Sequence, residues 1–378
     1  MQLELTETQR QLRDTVRAFA HEQVRPTAAD TDRHARFPHA QVAELGRMGV
    51  LGCFVPEQYG GAGFDHVGYA LAVEELSVAC AATGGIVLAH ASLATWPILA
   101  LGTEEQRRRY LPKLAAGTWL GCFALSDATS RRTTARRDGD HYVLNGTKDF
   151  VTNAPDAGVA IVFATVDPAQ GDRGATAFIV EVASPGWQVV RVDEKMGVRG
   201  ARSAQVTLTD VRVPAGNLLG AEGGGSSVAL RTLDGGRIGV AAQAVGIARA
   251  AFEDTLAYTR ERRAFGQRLA DFQNTQFRLS DMAARIEAAR LLTLEAACRK
   301  DHALPHAKHA AMAKLHATET AMDVATQAVQ LHGGYGYTRE FAVERYFRDA
   351  KVTEISEGTS EIQRGVIAEQ LLQEAPGA

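Results

Sequence analysis

The sequence predicts an α+β protein that is mainly helical, and the order of patterns along the chain carries this prediction. Apolar residues recur at helical spacing in the first third, short apolar runs broken by Gly, Pro and Asp fill the middle, and helical spacing returns after the Gly-rich segment 222–226. The 378 residues are enough for two or three domains with buried cores. We expect three domains: an N-terminal α-helical domain (1–119), a central small β-domain (120–222) and a C-terminal four-helix bundle (223–378).

The first helix is expected to begin at a capping box. Thr6 and Gln9 have the Thr-x-x-Gln spacing in which each side chain bonds the other residue's backbone N–H. A later helix follows Gly102 and is expected to stop where Pro112 interrupts it. We assign no catalytic or binding role to these helices, which we expect to pack in the hydrophobic core.

The middle of the chain reads as strands. The segment 141–153 alternates around Asn145-Gly146, a dipeptide that favours a two-residue hairpin turn. Further short apolar runs follow it, and several such strands in succession predict a small β-domain.

The last third predicts the helices of a bundle. Apolar stripes at helical spacing begin near Leu233, Phe277 and Ala310. Ser360 and Gln363 have capping-box spacing and predict the start of a fourth helix.

Composition excludes several functional classes. The net charge of −3 gives no reason to expect a nucleic acid or a membrane surface as partner. The four cysteines lie far apart, which argues against a disulfide framework or a zinc site and fits a reducing compartment. The N-terminus lacks a signal core and no apolar run looks long enough to span a bilayer, so we expect a cytoplasmic protein. His302, His306 and His309 have no carboxylate partner at helical spacing, and we expect no metal site.

Glu357 is the strongest candidate for chemistry. It stands just before the predicted last helix, next to Gly358, which lets the backbone approach a ligand closely. A carboxylate aimed from such a turn into a cleft loses water, and its pKa rises towards the range of a general base. On spacing alone, an acid that merely favours the positive end of the helix is the commoner case.

The segment EISEGTSEIQR, residues 354–364, resembles the C-terminal signature of the acyl-CoA dehydrogenases, and the resemblance extends over nearly the whole chain. It implies that Glu357 is the catalytic base that removes the α-proton of an acyl thioester. It also implies that Gly358 lies beside the substrate, and that Thr359 and Glu361 lie beside the cofactor, FAD.

Two segments resemble those that flank the flavin ring in this family, FALS at 123–126 and DFVTN at 149–153. Aromatic and apolar side chains suit the face of the ring, and hydroxyls suit its polar edge. Without the resemblance, β-core aromatics and solvated hydroxyls are an equal alternative. The residues implied to contact the flavin are Phe123, Leu125, Ser126, Phe150 and Thr152.

Two more segments resemble the family's binding sites for the dinucleotide part of FAD. ERRAFGQRL, residues 261–269, resembles the Arg-x-x-Phe-Gly motif, whose arginine offers a planar fork of donors to phosphate. QLHGGYG, residues 330–336, resembles a loop that holds the FAD of a neighbouring subunit and so implies an oligomer, expected to be a homotetramer. The residues implied are Arg262, Phe265, Gln273, Gln330, Gly333 and Gly334.

LDGGRIG, residues 233–239, resembles the helix start that lines the thioester cleft. Asp234 and Arg237 are the matching substrate residues, and Arg237 also qualifies as a catalytic residue that stabilises the loop or the ionised glutamate. A structural ion pair between the two is the alternative. Some family members, such as isovaleryl-CoA dehydrogenase, carry their base on this helix just before the arginine, where this chain has Gly236.

The chain departs from the family after Ser126. The usual continuation Ser-Glu-Pro-x-x-Gly-Ser-Asp is shortened by about six residues. Because that loop lies over the substrate and the flavin edge in the family, we expect a wetter cleft here. The basic residues that follow could attract thioester phosphates, although a solvated basic loop is the simpler reading; they are Arg131, Arg132, Arg136 and Arg137.

The sequence therefore predicts an FAD-dependent acyl-CoA dehydrogenase that forms the trans-2-enoyl thioester and passes electrons to an electron-transfer flavoprotein. Two alternatives stay open at this point. One is an acyl-carrier-protein-linked dehydrogenase or oxidase of a biosynthetic pathway, and the other is a non-catalytic flavin-binding relative. Acyl chain length is not readable from the sequence.

Overall fold

The structure is a computed structural model that describes residues 4–128 and 132–373. Arg131, one of the four clustered arginines, lies outside the described residues. The chain folds as helices, then strands, then helices, which confirms the predicted mainly helical α+β class.

Within the described residues, seven α-helices precede the sheet. The predicted capping box at Thr6 and Gln9 is present and starts the first of them. Their bounds are α1 Glu7–Phe19, α2 Ala28–Arg33, α3 His39–Arg47, α4 His66–Ala79, α5 Ala81–Leu88, α6 Trp96–Leu101 and α7 Glu104–Ala115. Between α5 and α6 the chain continues as a π-helix, Ala89–Thr95. Such a widened turn inside a helix is a feature often found at functional sites.

Two expectations for these helices are wrong. Pro112 does not end α7, which continues to Ala115, because a proline near the last turn removes only one helical hydrogen bond. The run Ala81–Leu101 is, by length and composition, a possible membrane span, although the sequence suggested that no run was long enough. In the structure 72% of its most apolar window is buried within the protein, as in a core helix.

The strands form one eight-stranded sheet and one short hairpin. The sheet order is β6-β7-β3-β2-β4-β5-β8, with β1 paired in parallel to β4. The hairpin is β9 with β10. Their bounds are β1 Leu120–Ala124, β2 Thr134–Asp138, β3 His141–Thr152, β4 Ala157–Thr165, β5 Ala175–Glu181, β6 Trp187–Val192, β7 Ser203–Pro214, β8 Leu218–Leu219, β9 Arg263–Ala264 and β10 Gln267–Arg268.

The hairpin expected at Asn145-Gly146 is wrong. Strand β3 passes through both residues without a turn, and the turn lies earlier, where Asp138 pairs with His141 around Gly139. A Cβ atom at Gly146 would lie 2.4 Å from the Thr133 hydroxyl. The glycine is therefore needed for close packing against a neighbouring segment and not for a turn.

The C-terminal helices form the predicted bundle, with one helix more than expected. Helix α8 is the longest and packs against α4, α9 and α10. The additional helix, α11, precedes the Glu357 turn. The bounds are α8 Gly225–Glu261, α9 Gln273–Asp301, α10 Ala307–His332, α11 Val343–Thr353 and α12 Ser360–Gln373.

A buried ion network fixes α4 against the bundle. Glu74 and Glu75 are 2% and 3% exposed, and both carboxylates accept hydrogen bonds from Arg249 of α8. Arg290 of α9 bonds Glu74, and Arg17 of α1 bonds Glu75. Because breaking one member of such a buried network leaves a charge uncompensated, these helices hold a fixed relative position. The candidate site lies between α4, α8, α10 and the start of α12.

Candidate active site

Glu357 lies on a turn between α11 and α12, and its backbone has a positive φ of 55°. The next residue, Gly358, has φ of 100°, a conformation that glycine adopts without a Cβ penalty. A non-glycine residue with positive φ is uncommon and costs free energy unless its surroundings enforce it. The strain therefore marks Glu357 as a residue held in place by its neighbours.

The carboxyl of Glu357 is desolvated. Its Oε2 atom is removed from solvent and has no hydrogen-bond partner among the described residues. Burial raises the pKa of this carboxyl to about 8, while the Lys314 and then the Arg237 cations act to lower it. A carboxylate with a pKa near the working pH is matched to the task of a general base.

Gly236 of α8 leaves the space that this carboxyl occupies. A Cβ atom at Gly236 would lie 1.8 Å from Oε2 of Glu357 and 2.9 Å from a methyl carbon of Leu93, which lies in the π-helix. The two positions at which family members can carry the base are therefore neighbours in space. Here only position 357 has a carboxylate.

Asp234 and Arg237 form the ion pair that the sequence left as an alternative. Nη1 of Arg237 donates to Oδ1 of Asp234 over 2.7 Å, one helical turn apart on α8. The Arg237 side chain is buried, and its Nε has no partner among the described residues. Its influence on Glu357 acts through space as a nearby charge.

The backbone of the Glu357 turn is held by two side chains from different helices. Nζ of Lys314, on α10, donates to the Gly358 carbonyl over 2.8 Å, and Nε2 of Gln363 donates to the same oxygen over 2.9 Å. Gln363 also reaches the Glu357 carbonyl over 3.3 Å. Sequence analysis missed Lys314, although the signal was there: it falls at helical spacing within the buried stripe that contains Ala310 and Ala317.

The capping box expected at Ser360 and Gln363 is wrong, although a helix does begin there. Ser360 is already the first helical residue, and its Oγ is buried without a partner among the described residues. The preceding Thr359 accepts a weak bond from the Ile362 N–H at 3.5 Å. The Ser360 N–H, which Gln363 would accept in a capping box, donates to the Glu354 carbonyl over 3.1 Å instead. Glu361 lies exposed on the first turn of α12.

The five residues expected at the flavin ring lie on adjoining segments. The Asp149 N–H donates to the Ser126 carbonyl over 3.0 Å, which joins the FALS and DFVTN segments. Phe150 is 71% exposed with a positive φ of 56°, so its ring is presented outwards. The Thr152 hydroxyl lies 3.1 Å from that of Ser203. Phe123 and Leu125 are half-buried, and Ser126 is exposed. An outward aromatic ring beside hydroxyls fits the face and edge of a flavin.

The residues expected to bind the dinucleotide part of FAD lie at a second cavity, separate from the flavin-ring residues. A cavity of about 500 Å³ is lined by Arg262, Gln330, Gly333 and Gly334, which come from two distant parts of the sequence. The guanidinium of Arg262 lies 5.2 Å from the centre of the Tyr335 ring. Cation, aromatic ring and open glycine backbone together suit a pyrophosphate with an attached adenosine. None of the five flavin-ring residues lines this cavity.

Phe265 and Gln273, which the resemblance also assigns to the dinucleotide, do not line that cavity. Phe265 and Gly266 form the two-residue loop between β9 and β10, with φ of 52° and 85°. The Phe265 ring is 97% exposed, which is unusual for an aromatic residue at a strained position. Gln273 is the exposed first residue of α9.

The segment after Ser126, expected to be shorter than in the family, is anchored by one carboxylate. Oδ1 of Asp127 accepts bonds from Nζ of Lys148 over 2.7 Å and from the Thr133 hydroxyl over 2.6 Å. Next to it, a cleft of about 450 Å³ separates the sheet from the start of α8 and reaches from Leu125 and Leu233 to Arg132. Of the other clustered arginines, Arg136 and Arg137 lie exposed on β2 and line none of it.

Comparison with known proteins gives the family. Models of the acyl-CoA dehydrogenase N-terminal, middle and C-terminal domains match residues 6–118, 124–211 and 223–372. The chain belongs to the acyl-CoA dehydrogenase family. The prediction of an FAD-dependent acyl-CoA dehydrogenase is confirmed with it.

Individual members of the acyl-CoA dehydrogenase family match over nearly the full length. The short-chain-specific acyl-CoA dehydrogenase of Clostridium acetobutylicum is 46% identical over 97% of this chain and 99% of its own length. The structure of butyryl-CoA dehydrogenase from Megasphaera elsdenii has a TM-score of 0.97 at 42% identity and covers 99% of this chain and 100% of its own. A chain with the same TM-score, 43% identity, and coverage of 99% and 100% comes from a structure described as the electron transferring flavoprotein of Acidaminococcus fermentans.

Proposed function

We propose that this acyl-CoA dehydrogenase acts on short-chain acyl-CoA thioesters, with Glu357 as the base that takes the α-proton. The observation that carries the role of Glu357 is its desolvated carboxyl, with Oε2 unpartnered and Gly236 leaving room for it. FAD, when bound, supplies the acceptor for the hydrogen and electron pair lost from the β-carbon. The experiment that tests the proposal is anaerobic titration of the purified protein with a panel of acyl-CoAs, which should bleach the oxidised-flavin absorbance most effectively for short chains.

The residues of this chain perform the remaining tasks. Glu357 removes the α-proton at its carboxylate, and its own N–H lies on the strained turn where a thioester carbonyl can accept it. The Arg237–Asp234 pair leaves a buried cation near the new negative charge of the enolate. The cleft beside Leu233 would receive the pantetheine arm. Asp234, the next residue on α8, and Gly358 are the other residues that we assign to the substrate. When FAD is bound, the flavin ring would be held by Phe123, Leu125, Ser126, Phe150 and Thr152, and Thr359 and Glu361 would lie at its edge.

The dinucleotide cavity supports an oligomer. Arg262, Gln330, Gly333 and Gly334 converge on one groove, yet no flavin-ring residue lines it, so one FAD would span two copies of the chain. We assign the exposed Phe265 hairpin and Gln273 to the same FAD molecule, as contacts from outside this groove. We therefore propose a homotetramer located in the cytoplasm, with three domains at the limits expected from the sequence. An electron-transfer flavoprotein accepts the electrons, in keeping with the structural relative from Acidaminococcus fermentans.

Replacement of Arg262 by Met is expected to weaken FAD binding about 10- to 100-fold, because a charge-assisted hydrogen bond to phosphate is lost. Fluorescence titration of the apoprotein with FAD measures this. Arg260→Met, at an exposed arginine in the last turn of α8, two residues before Arg262, is the matched control. Equal FAD affinity of the two variants would remove Arg262 from the cofactor site.

The proposed preference for short acyl chains rests on the residues of α8 that lie beyond Glu357. One face of α8 carries Gly236, then Gly239 and then Gln243, which spans seven residues or about 10 Å. Gln243 is 5% exposed, its Nε2 donates to the Ala81 carbonyl over 2.8 Å, and that nitrogen would lie 2.9 Å from a Cβ at Gly85. A buried, bonded amide at this depth limits an apolar chain, because a longer chain would have to displace it.

Gln243→Ala is therefore expected to raise kcat/KM for octanoyl-CoA relative to butyryl-CoA by about tenfold. The space left by the amide would bury roughly two of the additional methylenes, at about 0.8 kcal/mol each. Steady-state assays with both substrates measure this ratio. Val245→Ala, equally buried on another face of α8, should leave the ratio unchanged. An unchanged ratio in Gln243→Ala would place the end of the acyl pocket elsewhere.

A further inference from the structure

Lys314 is a buried cation at the centre of the protein. It is 0% exposed, and its neighbours on the same stripe of α10 are alanines that pack in the core. Among the described residues it forms no ion pair, and its hydrogen bond is to the Gly358 carbonyl. Burying an ammonium group without a paired carboxylate is costly. Because burial of this charge costs free energy, we looked for a functional role of Lys314 at the Glu357 turn, which it contacts.

The contact of Lys314 is with the turn that aims Glu357. The Gly358 carbonyl belongs to the strained pair with φ of 55° and 100°. Gln363 donates to the same oxygen, so a charged donor and a neutral donor hold one atom. The two side chains share the mechanical task of fixing the turn, but only Lys314 adds charge.

The charged and titratable groups that face Glu357 come from three helices. Lys314 of α10 has a larger lowering influence on the pKa of Glu357 than Arg237 of α8, whose charge is balanced by Asp234. From α4, the buried Tyr69 phenol also faces the carboxyl, and burial holds the pKa of that phenol far above its usual range. Beside Lys314 lie the acids that flank the turn, Glu354 and Glu361.

We propose that Lys314 is a positioning residue that fixes the direction of the Glu357 carboxyl and stabilises its ionised form. The proposal rests on the proposed function of Glu357 as the base. Lys314 takes no proton from the substrate. Its charge lies behind the turn and opposes the desolvation that favours the protonated, inactive form of Glu357.

The sign of the effect on pH dependence follows from electrostatics. A nearby cation favours the carboxylate, so loss of the charge raises the pKa of Glu357. The acidic limb of kcat/KM, which reports deprotonation of the base in the free enzyme, then moves to higher pH. Burial lowers the pKa of Lys314 itself to about 8, so its charge acts on the acidic side of the limb and is lost as the pH rises through about 8.

Three substitutions separate charge from mechanical support. Lys314→Gln keeps an N–H donor but loses the charge, and Lys314→Arg keeps the charge. Gln363→Met removes the neutral donor alone. We expect Lys314→Gln to move the acidic limb upwards by about one pH unit and to lower kcat/KM at pH 7 about tenfold, with activity recovering at higher pH. Lys314→Arg should leave the limb in place, and Gln363→Met should lower the rate at every pH without moving the limb.

Thermal unfolding and the FAD content of each variant report whether it folds. If Lys314→Gln does not fold, Lys314→Arg still tests the proposal, because a limb shift in a variant that keeps the charge would overturn it. An unmoved limb in folded Lys314→Gln would also overturn it and reduce Lys314 to a structural donor. Glu357→Gln, measured in parallel, identifies a different failure: if that variant keeps its rate, the base itself is wrongly assigned.

Discussion

Glu357→Gln is expected to bind FAD as tightly as the unaltered protein and to lose reduction of the flavin by acyl-CoA by about 10³-fold or more. The amide has the shape of the carboxyl but cannot accept the α-proton, and general base catalysis contributes typically 10²- to 10⁴-fold. Gly236, the other position at which family members carry a base, has no side chain to substitute for it. Anaerobic stopped-flow reduction, followed at the oxidised-flavin band, measures the loss.

The matched control for this variant is Glu369→Gln, which makes the same chemical change at an exposed position of α12. It should reduce at the unaltered rate. Retention of most of the reductive rate in Glu357→Gln would show that the proton is taken by another group. The variant should also remain yellow, because Glu357 is not among the residues assigned to hold FAD.

Gly236→Ala is expected to lower the reductive rate about 10²-fold while the protein stays folded and keeps FAD. A Cβ atom at this position would lie 1.8 Å from Oε2 of Glu357, so the carboxyl must move away from its place. A displacement of about 1 Å at a reacting group can cost 10²-fold in rate. The helix itself gains stability, because alanine is favoured over glycine in a helix interior by about 1 kcal/mol.

Gly235→Ala is the matched control for position 236. Its Cβ atom would meet the flexible end of Lys300, at 2.7 Å from Nζ, and not Glu357. We expect this neighbouring change to leave the reductive rate within a few-fold. If both alanines had the same effect, the loss at 236 would reflect a disturbed helix α8 rather than a displaced base. Single-turnover reduction and thermal unfolding of both variants distinguish these cases.

The errors of sequence analysis came from local signals that the tertiary structure overrode. Asn145-Gly146 is a strong turn signal, yet β3 continues through it because Thr133 packs where a Cβ would be. Ser360 and Gln363 have the right spacing for a capping box, but Gln363 bonds the Glu357 turn instead. In both cases the role of the residue depends on a contact with a segment outside its own local motif. Such contacts cannot be predicted from residue spacing alone.

The sequence by itself determined the fold class and the family and singled out Glu357 as the candidate base, because periodicity and the EISEGTSEIQR segment are local properties of the chain. Only the tertiary structure decided how that carboxylate is made basic. Gly236, Lys314 and Glu357 are far apart in sequence and meet only when α8, α10 and the turn before α12 pack together. Desolvation and through-space charge depend on distance in three dimensions, so the raised pKa of Glu357 and the role of Lys314 appear only in the folded protein.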